Sequence, residues 1–154
     1  MVMMFGSIIV KKTAIFYFMN YKKFLIASTL FALGSGIAAP YLVIRINDIV
    51  GSAYLGIVMG IAILSQSLSS IFIGKYALKR INALIYAQIT FSITVFLFSL
   101  NLLLYEIIFI QVVMGIVTAV HIVCSSVLIA EITKKENLGM RYGYFHSLQQ
   151  VAVG

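Results

Sequence analysis

The sequence predicts an all-α membrane protein with four transmembrane helices and the beginning of a fifth. Of its 154 residues, 62% are hydrophobic and only 10% are charged, and the mean hydropathy is +1.10. An average soluble domain carries roughly 25% charged residues. A soluble fold of this length could not bury so much apolar surface, so the composition excludes a water-soluble enzyme or binding domain. The expected surroundings of the chain are the lipid bilayer.

Four uncharged stretches are long enough to cross a membrane, because a helix needs about 20 residues to span a hydrocarbon core of ~30 Å. We place the spans at residues 24–44, 53–74, 82–103 and 107–130. The connections are short, at Arg45–Asp48, at Lys75–Arg80 and in a tight turn around Glu106, so consecutive helices should run antiparallel. Pro40 removes a backbone donor and is expected to kink the first helix.

A fifth apolar segment covers residues 141–154. The 13 residues after Arg141 would form only ~20 Å of helix. Such a helix is too short to cross the bilayer, so we expect the sequence to stop within its fifth helix. Residues 22–154 would then be a partial transmembrane domain.

Basic residues predict the orientation. With a cytoplasmic N-terminus, ten basic residues lie on the cytoplasmic side and Arg45 alone lies outside. This bias follows the positive-inside rule and predicts a multi-pass protein of the cell membrane. The ten residues are Lys11, Lys12, Lys22, Lys23, Lys75, Lys79, Arg80, Lys134, Lys135 and Arg141.

Residues 1–21 form a leader whose apolar part is too short to cross the membrane. No cleavage site for a signal peptide follows it. Two interpretations stay open for this segment. It is either a cytoplasmic, interfacial leader, or the result of a misplaced start codon, in which case Met19 is the true first residue.

The sequence lacks the motifs of the common enzymes and cofactor sites. Phosphate-binding and dinucleotide-binding glycine motifs are absent, Cys124 is the single cysteine, and the two histidines are isolated. We therefore predict no enzymatic activity, no cofactor and no metal site. Nucleic acid is not an expected partner either, because the basic residues form short clusters between apolar runs.

Polar side chains in the fourth span share one helix face. Gln111, Thr118, His121 and Ser125 fall within about 80° of one another at 100° per residue. They are candidates for lining a polar cavity, and a histidine there could bind substrate or relay a proton. The alternative is that they hydrogen-bond between packed helices. No acidic residue lies in the centre of a span, which disfavours a small multidrug proton antiporter.

Several segments of the sequence are informative when they are taken in order. The first hairpin carries the segments 39–44 and 47–52, followed by Leu55-Gly56 at the start of the next helix, and residues 129–139 link the fourth span to the fifth. In this order they resemble the first third of a transporter of the major facilitator superfamily (MFS). The loop after the second span matches the motif of that family at Gly74, Ala77 and Lys79, while Leu78 replaces its aspartate.

The resemblance implies part of the N-terminal six-helix half of an MFS fold and transport of a small solute by alternating access. The first and fourth helices of such proteins usually face the cavity, which implies that Ser35, Thr118 and His121 line it. Glu131 and Arg141 would form an ion pair on the inner face. A second polypeptide or further copies of the chain would supply the remaining helices of a truncated or split transporter. The alternative function is a small four-helix membrane protein with a scaffold or assembly role and no transport activity.

Overall fold

In a computed structural model, the chain is described at residues 21–76, 80–100, 102–133 and 135–153, which form helices and no strand. The predicted all-α membrane fold is therefore confirmed. The predicted leader lies almost entirely outside the described residues. Five α-helices follow one another, with a 3-10 turn at Lys135–Asn137 before the last: α1 (Tyr21–Val50), α2 (Ser52–Tyr76), α3 (Arg80–Leu97), α4 (Leu104–Ile132) and α5 (Leu138–Val153).

Three of these helices are long and apolar enough to cross a membrane, judged by length and composition. They are α1, α4 and residues Ser52–Lys75 of α2. Helix α3 is shorter, with 18 residues, yet it reaches ~27 Å, close to the thickness of the hydrocarbon core. Large apolar side chains are exposed on every helix, among them Ile37, Ile71 and Phe109. Lipid tails are as apolar as these side chains and can cover them.

The first connection is shorter than predicted. Residues Arg45–Asp48, predicted as a loop, belong to α1, which also continues past Pro40. Gly51 alone separates α1 from α2 and has a φ of 76°, a left-handed conformation that suits glycine. Its N–H donates to the carbonyl of Asn47 at 2.8 Å, and its own carbonyl accepts from Tyr54 and Leu55. This is a common way to end a helix, and here it reverses the chain in one residue.

The third helix ends earlier than the predicted span 82–103. After Leu97 the chain forms tight turns in which the N–H groups of Ser99 and Leu100 donate to carbonyls three residues earlier. Phe98 is fully buried and anchors this turn. Glu106 lies within the first turn of α4 rather than in the connection, and its carboxylate accepts a hydrogen bond of 2.7 Å from the N–H of Leu103. A carboxylate at a helix N-terminus stabilises the helix.

Helix α4 is the centre of the bundle. It packs most extensively against α2 and also against α3, while α1 packs mainly against α5. The α2–α4 contact is close because Gly115 lies directly on the backbone of α2: a Cβ at Gly115 would overlap the carbonyl oxygen of Ala62. Ser65 strengthens this contact with a hydrogen bond of 2.9 Å from its hydroxyl to the carbonyl of Val112.

Two hydrophobic clusters lie at opposite ends of the bundle. The first joins the start of α1, the start of α3, the end of α4 and α5, with a core of Phe24, Leu84, Cys124, Leu128, Ile129 and Phe145. The second joins the end of α1, the start of α2, the turn after α3 and the start of α4, with a core of Leu42, Ile46, Val58, Phe98, Ile107 and Ile110. The segments between these clusters carry the polar residues considered next.

Candidate functional site

A pocket of about 190 Å³ lies between the two hydrophobic clusters, where α1, α3, α4 and α5 meet. Three of the residues predicted to line a cavity, Ser35, Thr118 and His121, line this pocket. Their role in transport stays a prediction. The full lining consists of Phe31, Ala32 and Ser35 from α1, Phe91 from α3, Val117, Thr118, His121 and Ile122 from α4, and Gln149 from α5.

His121 is the most buried polar residue of this lining, with 7% of its surface exposed. Its ring lies 4.6 Å from the ring of Phe31, measured between centroids. Its Nε2 atom lies 3.4 Å from Nε2 of Gln149, so α4 and α5 meet at this point. An amide nitrogen only donates hydrogen bonds, so Nε2 of His121 is the acceptor when the Gln149 amide has this orientation, and the tautomer of the ring follows that orientation. Nδ1 is buried and has no hydrogen-bond partner among the described residues.

The two hydroxyl groups in the lining share one arrangement. The hydroxyl of Ser35 donates to the carbonyl of Ala32, and that of Thr118 donates to the carbonyl of Met114, both at 2.8 Å. Each hydroxyl has a single proton, which it donates in this hydrogen bond to the helix backbone. The oxygen lone pairs that remain can accept hydrogen bonds from a bound molecule, so both hydroxyls are acceptors toward the pocket.

The predicted polar stripe of the fourth span divides into two parts. Thr118 and His121 reach the pocket, whereas Gln111 and Ser125 do not belong to its lining. Gln111 is 3% exposed and Ser125 is fully buried, so both lie between packed helices. The hydroxyl of Ser125 has no hydrogen-bond partner among the described residues. A shared helix face therefore does not mean a shared environment, because α4 is packed on several sides.

Six of the nine lining residues were not predicted from the sequence, among them Phe31, Phe91 and Gln149. The Phe31 and Phe91 rings meet edge to face at 5.2 Å. In a chain that contains 11 phenylalanines, nothing in the sequence separates these two from lipid-facing ones. Gln149 did offer a signal, because it is a polar side chain in a largely apolar final segment.

The end of the bundle that carries the first cluster is held by contacts of α5. The Arg141 guanidinium lies over the Tyr21 ring, 4.6 Å from its centroid, and the Tyr21 hydroxyl donates to the carbonyl of Arg141 at 2.9 Å. The Phe24 and Phe145 rings stack at 5.8 Å. The ion pair between Glu131 and Arg141 stays a prediction.

Of the three residues predicted for the cytoplasmic loop motif, the structure describes Gly74. Gly74 lies near the end of α2, where the space for a Cβ is open. Ala77 and Lys79 lie outside the described residues.

A second groove of about 360 Å³ runs along the outer face of α3 and α4. Its lining is apolar apart from Thr90 and the hydroxyl of Tyr86, and includes Ala83, Ala87, Val113, Ile116, Val117 and Val120. The described residues contain no group of three or more side chains suited to hold a metal ion. Of these two pockets, the one around His121 has the more polar lining.

One of the comparisons with known proteins gives a match, and it is to a protein family. The family model of the Major Facilitator Superfamily matches residues 24–154, which include almost all of the described helices. No curated protein and no solved structure gives a significant match.

Proposed function

Because the chain belongs to the Major Facilitator Superfamily, a family of membrane transporters, we propose that its helices form part of a transporter that moves a small solute by alternating access. In this mechanism two halves of the protein rock around a central binding site and open it to one side of the membrane at a time. We place the site in the pocket around His121.

The position of this pocket carries the proposal. Along α1, Phe31 and Ser35 lie between Phe24 of one hydrophobic cluster and Leu42 of the other. Thr118 lies at the middle of α4. Polar side chains at mid-depth are costly in a membrane unless they face a cavity or a partner, so a group of them is expected to serve a function.

Different residues would take different parts in binding. Ser35 and Thr118 accept hydrogen bonds from the solute, and His121 and Gln149 hold α4 and α5 together across the pocket. A change in the His121–Gln149 contact would let α5 move relative to α4. Such a movement would open or close the pocket and would carry with it Phe145, the α5 residue in the core of the first hydrophobic cluster.

We further propose that additional helices complete the pathway. Only 6% of the apolar window of α2 is buried, and the groove along α3 and α4 is open and apolar. Helices from a second polypeptide or a second copy of the chain would cover such surfaces and enclose the polar pocket, which lipid cannot satisfy. The cell membrane, with a cytoplasmic N-terminus, is the location we propose from the distribution of basic residues.

Uptake measurements test this function. Cells that lack the gene are complemented with the wild-type chain or a variant, and the uptake of sugars, amino acids and cationic drugs is measured. We expect the wild-type chain to restore saturable uptake of at least one solute, and we expect Thr118→Val and His121→Ala to lower it. Thr29→Val is the matched control, because its hydroxyl bonds to the carbonyl of Leu25 at 2.8 Å in the same way but lies outside the pocket.

Two results would count against the proposal. One is an equal loss of uptake with Thr118→Val and Thr29→Val, which would mean that any such substitution disturbs the helices. The other is normal membrane insertion of the wild-type chain without a change in the uptake of any solute. The second result would favour a membrane protein with a scaffold or assembly role.

A further inference from the structure

The pocket around His121 has chemical properties that restrict what it can bind. Its volume of about 190 Å³ is below the range of roughly 300–1,000 Å³ that is typical of sites for drug-sized ligands. The part of the site that the described residues form therefore has the size of a single ring with few substituents.

Aromatic rings form one wall of the pocket. The Phe31 ring contacts the Phe91 ring at 5.2 Å and the His121 ring at 4.6 Å, with angles of 67° and 40° between the ring planes. Rings at such angles offer both faces and edges to a bound molecule, and a flat ring can pack against them in an offset or edge-on arrangement. A sugar carries hydroxyl groups around its whole ring, and several of them would lie unpaired against Phe91, Val117 and Ile122.

The hydrogen-bonding groups of the pocket favour a bound molecule that donates hydrogen bonds. The hydroxyls of Ser35 and Thr118 donate their protons in hydrogen bonds to the backbone carbonyls of Ala32 and Met114, so both oxygens can act only as acceptors toward a bound molecule. The side-chain oxygen of Gln149 is a further acceptor on the opposite helix. A molecule with N–H or O–H groups satisfies these three acceptors. A molecule with acceptors alone could bond at most to Nδ1 of His121 and would leave all three oxygens without a donor.

The lining contains no Asp, Glu, Lys or Arg side chain. An ion transferred to this depth would lose its hydration without gaining a partner of opposite charge, which is unfavourable in a low-dielectric environment. The described part of the pocket therefore disfavours carboxylates and ammonium ions.

From these observations we propose that the pocket is selective for small, uncharged, flat-ring molecules that carry N–H or O–H donors. As a substrate class this rests on the proposed transport function, but as a binding preference it can be measured independently of transport. The proposal names a chemical class and no individual compound.

A pair of isomers provides the test. The full chain is purified, inserted into lipid nanodiscs, and its binding of 5,6-dimethyluracil and 1,3-dimethyluracil is measured by equilibrium dialysis. Both are uncharged flat rings with two methyl groups, but only 5,6-dimethyluracil keeps its two N–H donors. Orotate adds a negative charge to the same ring, and xylose represents the sugars. We expect 5,6-dimethyluracil to bind at least about tenfold more tightly than each of the other three, as two neutral hydrogen bonds would allow.

Substitutions connect this preference to the pocket. Thr118→Val keeps the shape of the side chain but removes the acceptor, and should weaken the binding of 5,6-dimethyluracil about fivefold. Ser35→Ala should have a similar effect, so the result does not depend on one variant being well folded. Thr29→Val should leave binding unchanged. Circular dichroism and size-exclusion profiles identical to those of the wild-type chain confirm that each variant is folded.

Equal binding of the two isomers, tighter binding of orotate or xylose, or no binding by the folded chain would overturn the proposal. An unchanged affinity in both Thr118→Val and Ser35→Ala would also overturn it.

The outcome of the binding experiment is separable from that of the uptake experiment. If uptake depends on Thr118 but the pocket prefers an ion or a sugar, the selectivity is wrong and the transport function stands. If the donor-bearing isomer binds selectively but no solute is taken up, the selectivity stands and the transport function is wrong.

Discussion

Arg45 of α1 caps the carboxyl end of α3 through the carbonyl oxygen of Phe98. Its Nε donates to this oxygen at 3.2 Å, and its Nη2 donates to the carbonyl of Leu100, also at 3.2 Å. A cation is stabilising beside the free carbonyls at a helix C-terminus. Arg45 is also the only basic residue that the charge bias places outside the cell. The contact with Phe98 gives a structural reason for this exception.

Replacing Arg45 should destabilise the bundle. Arg45→Gln removes the charge, and we expect the free energy of unfolding to fall by about 1–2 kcal/mol, the lower part of the range for charged hydrogen bonds because the contact is partly exposed. Arg45→Lys should lose less, since the charge remains but the two-pronged donor does not. Cys124, the single cysteine and fully buried, supplies the measurement through its reaction with a thiol-reactive dye on heating. A lower midpoint temperature of Cys124 labelling for Arg45→Lys than for Arg45→Gln would contradict this explanation.

Gly115 should tolerate no larger residue. In Gly115→Ala the new Cβ would overlap the carbonyl oxygen of Ala62 and lie 2.8 Å from Cβ of Ser65, so α2 and α4 would have to separate. We expect a loss of roughly 1–3 kcal/mol, the usual cost of overpacking, in the same Cys124 assay. Gly56→Ala is the control, because nothing lies within 4 Å of its Cβ position. It should leave stability unchanged or raise it slightly, since alanine favours the helix. Equal losses in both variants would show that the close α2–α4 contact is not the cause.

Tyr21 should stabilise the docking of α5. Tyr21→Phe keeps the ring beneath the Arg141 guanidinium but loses the hydrogen bond to the carbonyl of Arg141. The expected loss is about 1 kcal/mol, the typical net value of one hydrogen bond. Tyr144→Phe makes the same change at a side chain that is 58% exposed and should have no measurable effect. If the two variants unfold at the same temperature, α5 does not depend on this contact.

The orientation predicts which ends of the bundle are accessible to reagents outside the cell. In a Cys124→Ala background, Ser99→Cys lies in the exposed turn after α3, and Asn137→Cys lies in the exposed 3-10 turn before α5. The positive-inside bias predicts that an impermeant thiol reagent labels position 99 in intact cells and labels position 137 only after permeabilisation. The reverse labelling pattern would mean that the chain has the opposite orientation in the membrane.

The helices could be located from the sequence because charged residues flank long apolar runs. The predicted helix ends were wrong where charged residues lie inside a helix or where a turn is apolar. Arg45 and Asp48 interrupt the first run, yet α1 continues through them, because Arg45 bonds to α3 instead of facing a loop. The turn after α3 begins with Phe98, a fully buried apolar residue, so its composition does not differ from that of a helix. Neither feature can be recognised before the helices are packed together.

The candidate site was predictable to a similar extent. Thr118 and His121 were identified by polarity and helical spacing, which are properties of one segment. The contribution of Phe31 and Phe91 depends on the packing of α1 and α3 against α4, so no local pattern reveals it. For the same reason, spacing alone grouped Gln111 and Ser125 with the pocket, although the structure places both between helices.

The account depends most on the claim that the pocket at mid-depth opens to water, and cysteine labelling tests this directly. Thr118→Cys and Leu64→Cys are each made in the Cys124→Ala background, and both positions lie in the middle of their helices. Thr118 lines the pocket, whereas Leu64 is 65% exposed on the surface of α2, where lipid or a further helix would keep water away from it. An impermeant thiol reagent is applied to intact cells and to inside-out vesicles. The account predicts that position 118 reacts from at least one side, that 5,6-dimethyluracil slows this reaction, and that position 64 does not react. Labelling of position 64 at the same rate as position 118, or no labelling of position 118 from either side, would contradict it.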